Sequence, residues 1–169
     1  MIGDIEALKT AIAMEKESLI KYLEFARTTR DISGKNMFIR LATDEFSHME
    51  LLEEQSERIT QKNGWSDAKI DRSEVEKVIP RIRERDKLIK STEGLDEVAA
   101  LESALELEER GYKYYNERGE EAENENARKM YRRLAEMERS HYDFIMAEMD
   151  YIKNTGFWFG VREFSLEMY

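Results

Sequence analysis

The sequence predicts an all-α protein, a four-helix bundle with one long crossover between its second and third helices. Composition, helical periodicity and an internal repeat support this fold class. Charged residues make up 38% of the 169 residues, and the chain has eight glycines and one proline. This composition favours long helices over strands. The length is that of one domain and is sufficient to bury a sizeable core.

Apolar residues recur every three or four positions in four segments, as on the buried face of a helix. The predicted helices span 4–29, 36–62, 95–122 and 125–153. We expect residues 31–35, with Gly34, to separate the first two, and Asn63-Gly64 to end the second. The connection at 64–93 contains a predicted short helix near 73–79. It can run the length of a helix, about 40 Å, and is therefore the predicted crossover.

A shift of 93 positions aligns the two halves of the chain without a gap. The matching pairs include Ala7 and Ala100, Leu8 and Leu101, Glu15 and Glu108, Tyr22 and Tyr115, Leu41 and Leu134, Glu45 and Glu138, and His48 and His141. One helical hairpin is therefore used twice. We predict that residues 1–154 form the bundle, with approximate two-fold symmetry, and that residues 155–169 form an aromatic C-terminal extension.

Each half places one glutamate in an apolar stripe and, one helix later, a Glu-x-x-His motif. The residues are Glu15, Glu45 and His48 in the first half and Glu108, Glu138 and His141 in the second. Residues three apart are neighbours on a helix, so each Glu-x-x-His pair shares one face. A lone Glu-x-x-His on a glutamate-rich helix is usually chance. The recurrence of all three positions at one offset favours a functional site.

Four buried carboxylates at one level of a bundle would repel one another and lose their hydration, which costs several kcal/mol for each ion. Without a counter-ion, their pKa values would rise until most were neutral. Two divalent ions balance four ionised glutamates when both histidines are neutral. An oxygen-rich ligand set with two imidazoles suits Fe(II) or Mn(II) better than thiolate-seeking metals. The six residues are therefore predicted metal ligands.

Charge and composition exclude several other classes. The net charge of −10 argues against nucleic acid and anionic membranes as partners. The absence of cysteine excludes disulfides, zinc fingers, iron–sulfur clusters and a rubredoxin-type centre within this sequence. The N-terminus has no signal-peptide pattern, and no apolar run has the length of a membrane span. We therefore expect a cytoplasmic protein.

The motifs resemble those of the rubrerythrin branch of the ferritin-like di-iron proteins. The matching features are Glu15 followed by Tyr22, Glu108 followed by Tyr115, and the two Glu-x-x-His motifs, in the same order, over about residues 4–153. The resemblance implies a ferritin-like bundle with two iron ions, for which manganese or zinc could substitute. It implies that Glu45 and Glu138 bridge the irons. Glu15 with His48, and Glu108 with His141, would complete one iron each.

Two departures from the family pattern concern the reaction. Rubrerythrins proper feed electrons from a cysteine-ligated rubredoxin domain, so this cysteine-free chain needs an external electron donor. Typical rubrerythrins also carry a further glutamate three residues after the third-helix ligand, where this chain has Gly111 and, at the repeat position, Ser18. The resemblance implies a di-iron oxidoreductase that uses hydrogen peroxide or O2. An iron-storage protein with ferroxidase activity and a non-catalytic metal-binding bundle are the alternatives.

Tyr22 and Tyr115 follow their glutamates by seven residues, on the same stripe. They are candidates for core packing or for support of the metal ligands. The extension after the fourth helix is rich in aromatic residues, including Phe157, Trp158 and Phe159. It either folds back on its own bundle or packs against a second subunit. The second interpretation predicts a homodimer.

Overall fold

A computed structural model describes residues 2–77, 95–155 and 158 of the chain. Its four long helices are α1 (Ile2–Thr28), α2 (Ile32–Thr60), α3 (Leu95–Glu121) and α4 (Glu125–Thr155). The pairs α1–α2 and α3–α4 form antiparallel hairpins, and α1 also contacts α3. The predicted all-α four-helix bundle is confirmed. Over the described ranges, no helix is apolar for long enough to cross a membrane.

The two hairpin turns are equivalent under the repeat, and both use a side-chain cap. The Asp31 carboxylate accepts hydrogen bonds from the backbone N–H groups of Ser33, at 2.7 Å, and Gly34, at 3.2 Å. Asn124, 93 positions later, caps the start of α4 in the same way. Such caps satisfy N–H groups that have no partner within the helix. The repeat therefore fixes the helix starts as well as the buried face.

The predicted break at residues 31–35 was too long, because the Asp31 cap starts α2 at Ile32. Gly34 lies inside the first turn of α2 rather than between the helices. A Cβ atom at this position would lie 2.5 Å from Cε2 of Trp158 and 2.7 Å from Cγ2 of Thr29. Glycine therefore serves close packing here and does not mark the end of a helix.

The described part of the crossover is attached to α2 and α4 by polar contacts. A helical turn at 74–77 begins with a capping box, in which Ser73 and Glu76 exchange side-chain-to-backbone hydrogen bonds. The guanidinium of Arg133 donates to both Glu76 carboxylate oxygens, at 2.8 and 2.6 Å. Only part of the predicted short helix at 73–79 can be compared, because residues 78–94 lie outside the described residues.

The core consists of two apolar clusters, one towards each end of the bundle. The cluster near the hairpin turn of α1 and α2 includes Tyr22, Phe38, Leu41, Leu101, Ile145 and Trp158. The other includes Leu8, Leu52, Tyr115, Met130 and Leu134. The glutamates and histidines predicted from the repeat lie between these clusters. The fold therefore surrounds a polar layer with apolar layers above and below.

Candidate metal centre

The structure brings all six predicted ligands together in the middle of the bundle. Their exposed fractions are 3% for Glu15, 1% for Glu45, His48 and Glu108, 4% for Glu138 and 0% for His141. Each helix contributes, because the inward stripe of α1 or α3 supplies one glutamate and that of α2 or α4 supplies a Glu-x-x-His pair. Glu24 and Glu117, which also match under the repeat, are exposed.

The six residues form two overlapping groups, each able to surround one ion. One group contains Glu15, Glu45, His48 and Glu138, and the other contains Glu45, Glu108, Glu138 and His141. Within each group, one candidate ligand atom per residue lies within 4.8 Å of all the others. Glu45 and Glu138 belong to both groups. This is the arrangement expected when two carboxylates bridge a pair of ions.

The histidines are oriented alike about the approximate two-fold axis. Nδ1 of His48 lies 3.3 Å from one oxygen of Glu45 and 3.3 Å from one oxygen of Glu138. Nδ1 of His141 lies 3.2 Å from the other oxygen of Glu45 and 3.3 Å from Glu108. The two rings stack with 5.7 Å between centroids. In both halves, Nδ1 is therefore the nitrogen that faces the carboxylates.

Several carboxylate and imidazole atoms of the six clustered residues have no hydrogen-bond partner. Among the described residues, the buried side-chain atoms without a hydrogen-bond partner include both oxygens of Glu45, one oxygen each of Glu108 and Glu138, and Nδ1 of both histidines. Buried polar atoms normally have partners, since an unpaired one costs about 1–3 kcal/mol. These six atoms converge on one space, and each is of a kind that binds divalent metals. The donor set therefore fits a pair of metal ions.

Two tyrosines support the glutamates across the repeat. The hydroxyl of Tyr22, on α1, donates to Glu108 on α3, and the hydroxyl of Tyr115, on α3, donates to Glu15 on α1. Burial, and then the neighbouring carboxylate, raises the pKa of each tyrosine well above its ordinary value. Both hydroxyls therefore remain donors at neutral pH. Support of the ligands, one of the two interpretations of these tyrosines, agrees with this geometry.

Without metal, the pKa values of two glutamates and both histidines in the centre are raised, so these groups tend to stay protonated. Burial, followed by the charge of Glu15, raises the pKa of Glu45 to about 8, and burial also raises that of Glu138 well above its usual range. Burial alone would lower the pKa of His48 and of His141, but the surrounding carboxylates raise both well above the ordinary value. Metal ions must therefore displace protons to bind.

Asp44 is a functional candidate that the sequence did not reveal. Its carboxylate lies 3.2 Å from Nε2 of His141 and accepts hydrogen bonds from the N–H groups of Glu74, at 2.6 Å, and Val75, at 3.1 Å. Burial alone would raise the pKa of Asp44, but the hydrogen bond and charge of His141, together with the two backbone N–H donors, lower it. An ionised partner at Nε2 keeps the proton there and leaves Nδ1 free for a metal. The repeat concealed this residue, because its equivalent is Met137.

Gly111, the second departure from the family pattern, lies directly against a predicted bridging ligand. A Cβ atom at this position would be 2.9 Å from Oε2 of Glu138 and 3.1 Å from its Cδ. The Glu138 carboxylate therefore occupies the space that a larger residue at position 111 would need. The sequence identified the substitution but not this contact.

A cavity of about 300 Å³ approaches the centre from the crossover side. It lies between α2 and residues 69–77, and Asp44, His48 and Met137 are among the residues that line it. Of the six clustered residues, only His48 lines the cavity. The cavity is large enough for several molecules the size of water. A small solute can therefore approach the histidine side of the cluster.

Fold and site together define a four-helix bundle with a buried carboxylate–histidine centre, the architecture of the ferritin-like metal proteins. A sequence model of the Rubrerythrin family matches residues 6–149. The match covers most of the chain, so the protein belongs to the rubrerythrin family, as the resemblance of its motifs implied. Comparison with curated proteins and with solved structures gives no significant match.

Proposed function

We propose that this protein is a di-iron oxidoreductase that reacts with hydrogen peroxide or O2. The observation that carries the proposal is the pair of overlapping ligand groups that share Glu45 and Glu138. Family membership supports iron as the metal, and the four carboxylates with two imidazoles form a ligand set that suits Fe(II). Glu15 with His48, and Glu108 with His141, would each complete the coordination of one ion.

When bound, two Fe(II) ions supply the two electrons that reduce hydrogen peroxide, with two protons, to two molecules of water. The chain provides charge balance and a dry, fixed geometry. The hydroxyls of Tyr22 and Tyr115 donate hydrogen bonds to the two glutamates that would each bind a single ion, Glu108 and Glu15. Asp44 orients His141 through its contact with Nε2. The given sequence contains no cysteine, and the proposal therefore includes a separate electron donor that reduces the centre again.

The proposal is tested by anaerobic loading with Fe(II), followed by separate exposure to O2 and to peroxide while absorbance is recorded. We expect about two ions per chain and rapid oxidation by at least one of the two oxidants. Glu45→Ala should weaken metal binding by roughly tenfold or more, since even the loss of a residue that only supports a ligand costs this much. Glu50→Ala changes an exposed glutamate on the same helix and should behave like the unmodified protein.

Three results would contradict the proposal or redirect it. Equal iron content in the Glu45→Ala and Glu50→Ala variants would exclude the cluster as the binding site. Stable Fe(II) loading without oxidation by either oxidant would favour a non-catalytic bundle. A large, multi-subunit particle that accumulates many irons per chain would favour storage.

A further inference from the structure

Three aromatic rings lead from the candidate metal centre towards the surface. Tyr115, whose hydroxyl donates to Glu15, stacks on Tyr131 with 6.1 Å between ring centroids and 24° between ring planes. The rings of Tyr131 and Trp65 meet edge to face, with 5.9 Å between their centroids. Tyr115 and Tyr131 are buried, whereas Trp65 is only half-buried. The three rings therefore connect a predicted metal ligand with solvent.

The repeat builds the same series of rings in the other half of the bundle, with one difference. The equivalent residues, 93 positions away, are Tyr22, Phe38 and Trp158. Tyr22 donates to Glu108 and stacks on Phe38 at 6.2 Å and 21°. Phe38 meets Trp158 edge to face at 5.8 Å. The ring geometry is thus nearly the same in both halves, but the middle ring is a phenol in one series and a phenyl group in the other.

The hydroxyl of Tyr131 does not help the fold. It is buried, and among the described residues it has no hydrogen-bond partner. Burial of an unpaired hydroxyl destabilises a protein. Phe38 shows that a phenyl ring packs at the equivalent position with the same stacking geometry. Stability therefore favours phenylalanine at position 131, and the tyrosine there indicates a different use.

Oxidation chemistry distinguishes the two series. A phenol loses an electron far more easily than a phenyl ring, because its oxygen donates electron density to the ring, and indole is also readily oxidised. All three rings of the first series are therefore oxidisable, whereas Phe38 interrupts the second between Tyr22 and Trp158. We propose that Tyr115, Tyr131 and Trp65 form an electron relay, which carries single electrons from the protein surface to the metal centre.

The relay rests on the proposed function and supplies something that this function needs. Reduction of O2 to two molecules of water takes four electrons and four protons, and a pair of Fe(II) ions holds only two of these electrons. The relay delivers the other two, one at a time, from a donor in solution. Without such a donor, the electrons come from the relay itself and leave it oxidised.

Each transfer balances electrons and protons. Tyr115 gives one electron to the centre, and its phenolic proton moves along the hydrogen bond to Glu15. An electron from Trp65 then crosses the ring of Tyr131 to Tyr115, which takes its proton back. Tyr131 has no proton acceptor among the described residues, so it passes the electron on and does not stay oxidised. Trp65 releases its indole proton to solvent until a one-electron donor, such as ascorbate, restores it.

Tyr114 offers a competing path to the surface, but its surroundings disfavour oxidation. Its half-buried ring lies 5.7 Å from that of Tyr115. The guanidinium of Arg118 lies 5.8 Å from the Tyr114 centroid, and a positive charge opposes the removal of an electron from the ring. The Tyr114 hydroxyl donates to the carbonyl of Ala7, which is a poor proton acceptor. Tyr114→Phe is therefore the matched control for Tyr131→Phe.

The relay is tested by locating the oxidised residues when no donor is present. Fe(II)-loaded protein is exposed to O2 while absorbance records oxidation of the iron and electron paramagnetic resonance records radicals. Peptide mapping by mass spectrometry then identifies the modified side chains. We expect oxidation products at Trp65, whereas Trp158, the other tryptophan of the sequence, should stay intact. Ascorbate should protect Trp65, and Zn(II)-loaded protein should show no modification.

Tyr131→Phe places in one half the residue that the other half already has, so this variant should fold and melt at no lower a temperature than the unmodified protein. Oxidation of Trp65 should fall roughly tenfold, the effect of about 1.4 kcal/mol on a barrier. The radical on Tyr115 should last longer, because its route to Trp65 is interrupted. Tyr114→Phe should oxidise Trp65 as the unmodified protein does.

The possible failures separate the relay from the function on which it rests. Normal oxidation of iron with Trp65 intact, or equal oxidation of Trp65 in the two variants, would overturn the relay and leave the proposed function standing. Equal modification of Trp65 and Trp158, or modification of Trp65 in the Zn(II)-loaded protein, would also overturn it. Iron that neither O2 nor peroxide oxidises would contradict the proposed function and the relay together.

Discussion

Asp44 contributes to only one half of the candidate metal centre. It bonds to His141, whereas His48 has Met137 at the equivalent position. Asp44→Asn preserves the shape of the side chain but presents an amide N–H to Nε2 of His141. We expect the affinity for one of the two ions to fall about tenfold. Metal competition with a coloured chelator measures this change, and Asp143→Asn, an exposed aspartate on α4, is the control. An equal loss at both sites would contradict the assignment.

Substitution of Gly111 tests how closely the carboxylate of Glu138, a predicted bridging ligand, packs against α3. Gly111→Ala adds a methyl group 2.9 Å from Oε2 of Glu138 and should displace that carboxylate, which reduces metal affinity. Gly119→Ala, on the same helix, meets Cγ of the flexible Arg132 side chain at 3.1 Å. Its other neighbours, the backbone N of Arg132 at 3.5 Å and Cβ of Tyr131 at 3.7 Å, are at ordinary contact distances, so this variant should be tolerated. Gly111→Glu, which would supply the missing family carboxylate, must displace Glu138 first. Both metal content and peroxide turnover should therefore be measured for that variant.

The sequence predicted the symmetric part of the site and missed the asymmetric part. The repeat identified Glu15, Glu45 and His48 with their equivalents, because two copies of a pattern separate ligands from the many other glutamates. The same criterion excluded Asp44, whose equivalent is apolar. The closeness of Gly111 to Glu138 depends on how α3 packs on α4. The residue pattern of either helix alone cannot predict that distance.

Among the helices, α2 depends on a glycine for its contact with the C-terminal segment. Gly34→Ala should destabilise the protein despite the higher helix propensity of alanine, because its Cβ would overlap the ring of Trp158. Overpacking costs about 1–3 kcal/mol of the free energy of unfolding. The higher helix propensity of alanine offsets roughly 1 kcal/mol of this cost. Urea unfolding measures the change. Gly3→Ala, in the first turn of α1, meets nothing within 4 Å and is the control. Equal stability of the two variants would show that Trp158 does not pack there.

Helix ends were predicted to within about two residues except at the start of α2. Both hairpin turns are short because a capping side chain begins the next helix, and the glycine in α2 was misread as a break. Of the predicted extension, the structure describes only Thr155, which ends α4, and Trp158. Trp158 is buried against its own bundle, and its indole N–H donates to Glu97. The contacts of this one residue agree with the fold-back interpretation. Association through the rest of the extension stays a prediction.

At the scale of the whole molecule, stability should depend on pH in opposite ways with and without metal. The folded, metal-free protein binds extra protons, because the pKa values of Glu45, Glu138, His48 and His141 are all raised. The unfolded chain releases these protons at lower pH. The free energy of unfolding therefore falls as pH rises from the ordinary glutamate range towards pH 8. The pKa of Glu15 is lowered, so this residue is ionised throughout the window and does not reverse the trend.

Thermal unfolding at pH 6 and pH 8 tests this dependence. With a chelator present, the melting temperature should be lower at pH 8. With saturating Mn(II), it should be higher at pH 8, because fewer protons compete with the metal. Parallel trends under the two conditions would show that the cluster does not exchange protons for metal.

Each ligand group draws on both hairpins, and each tyrosine hydroxyl reaches into the opposite half. A single hairpin therefore cannot form either ion site, but two copies of one hairpin could form both. A gene half this length would have encoded a working protein only as a pair of identical chains. Fusion of two such genes keeps the two hairpins together in one chain. The sequences of the two halves can then differ. Asp44 at one position and Met137 at its equivalent is a difference that only the fused gene permits.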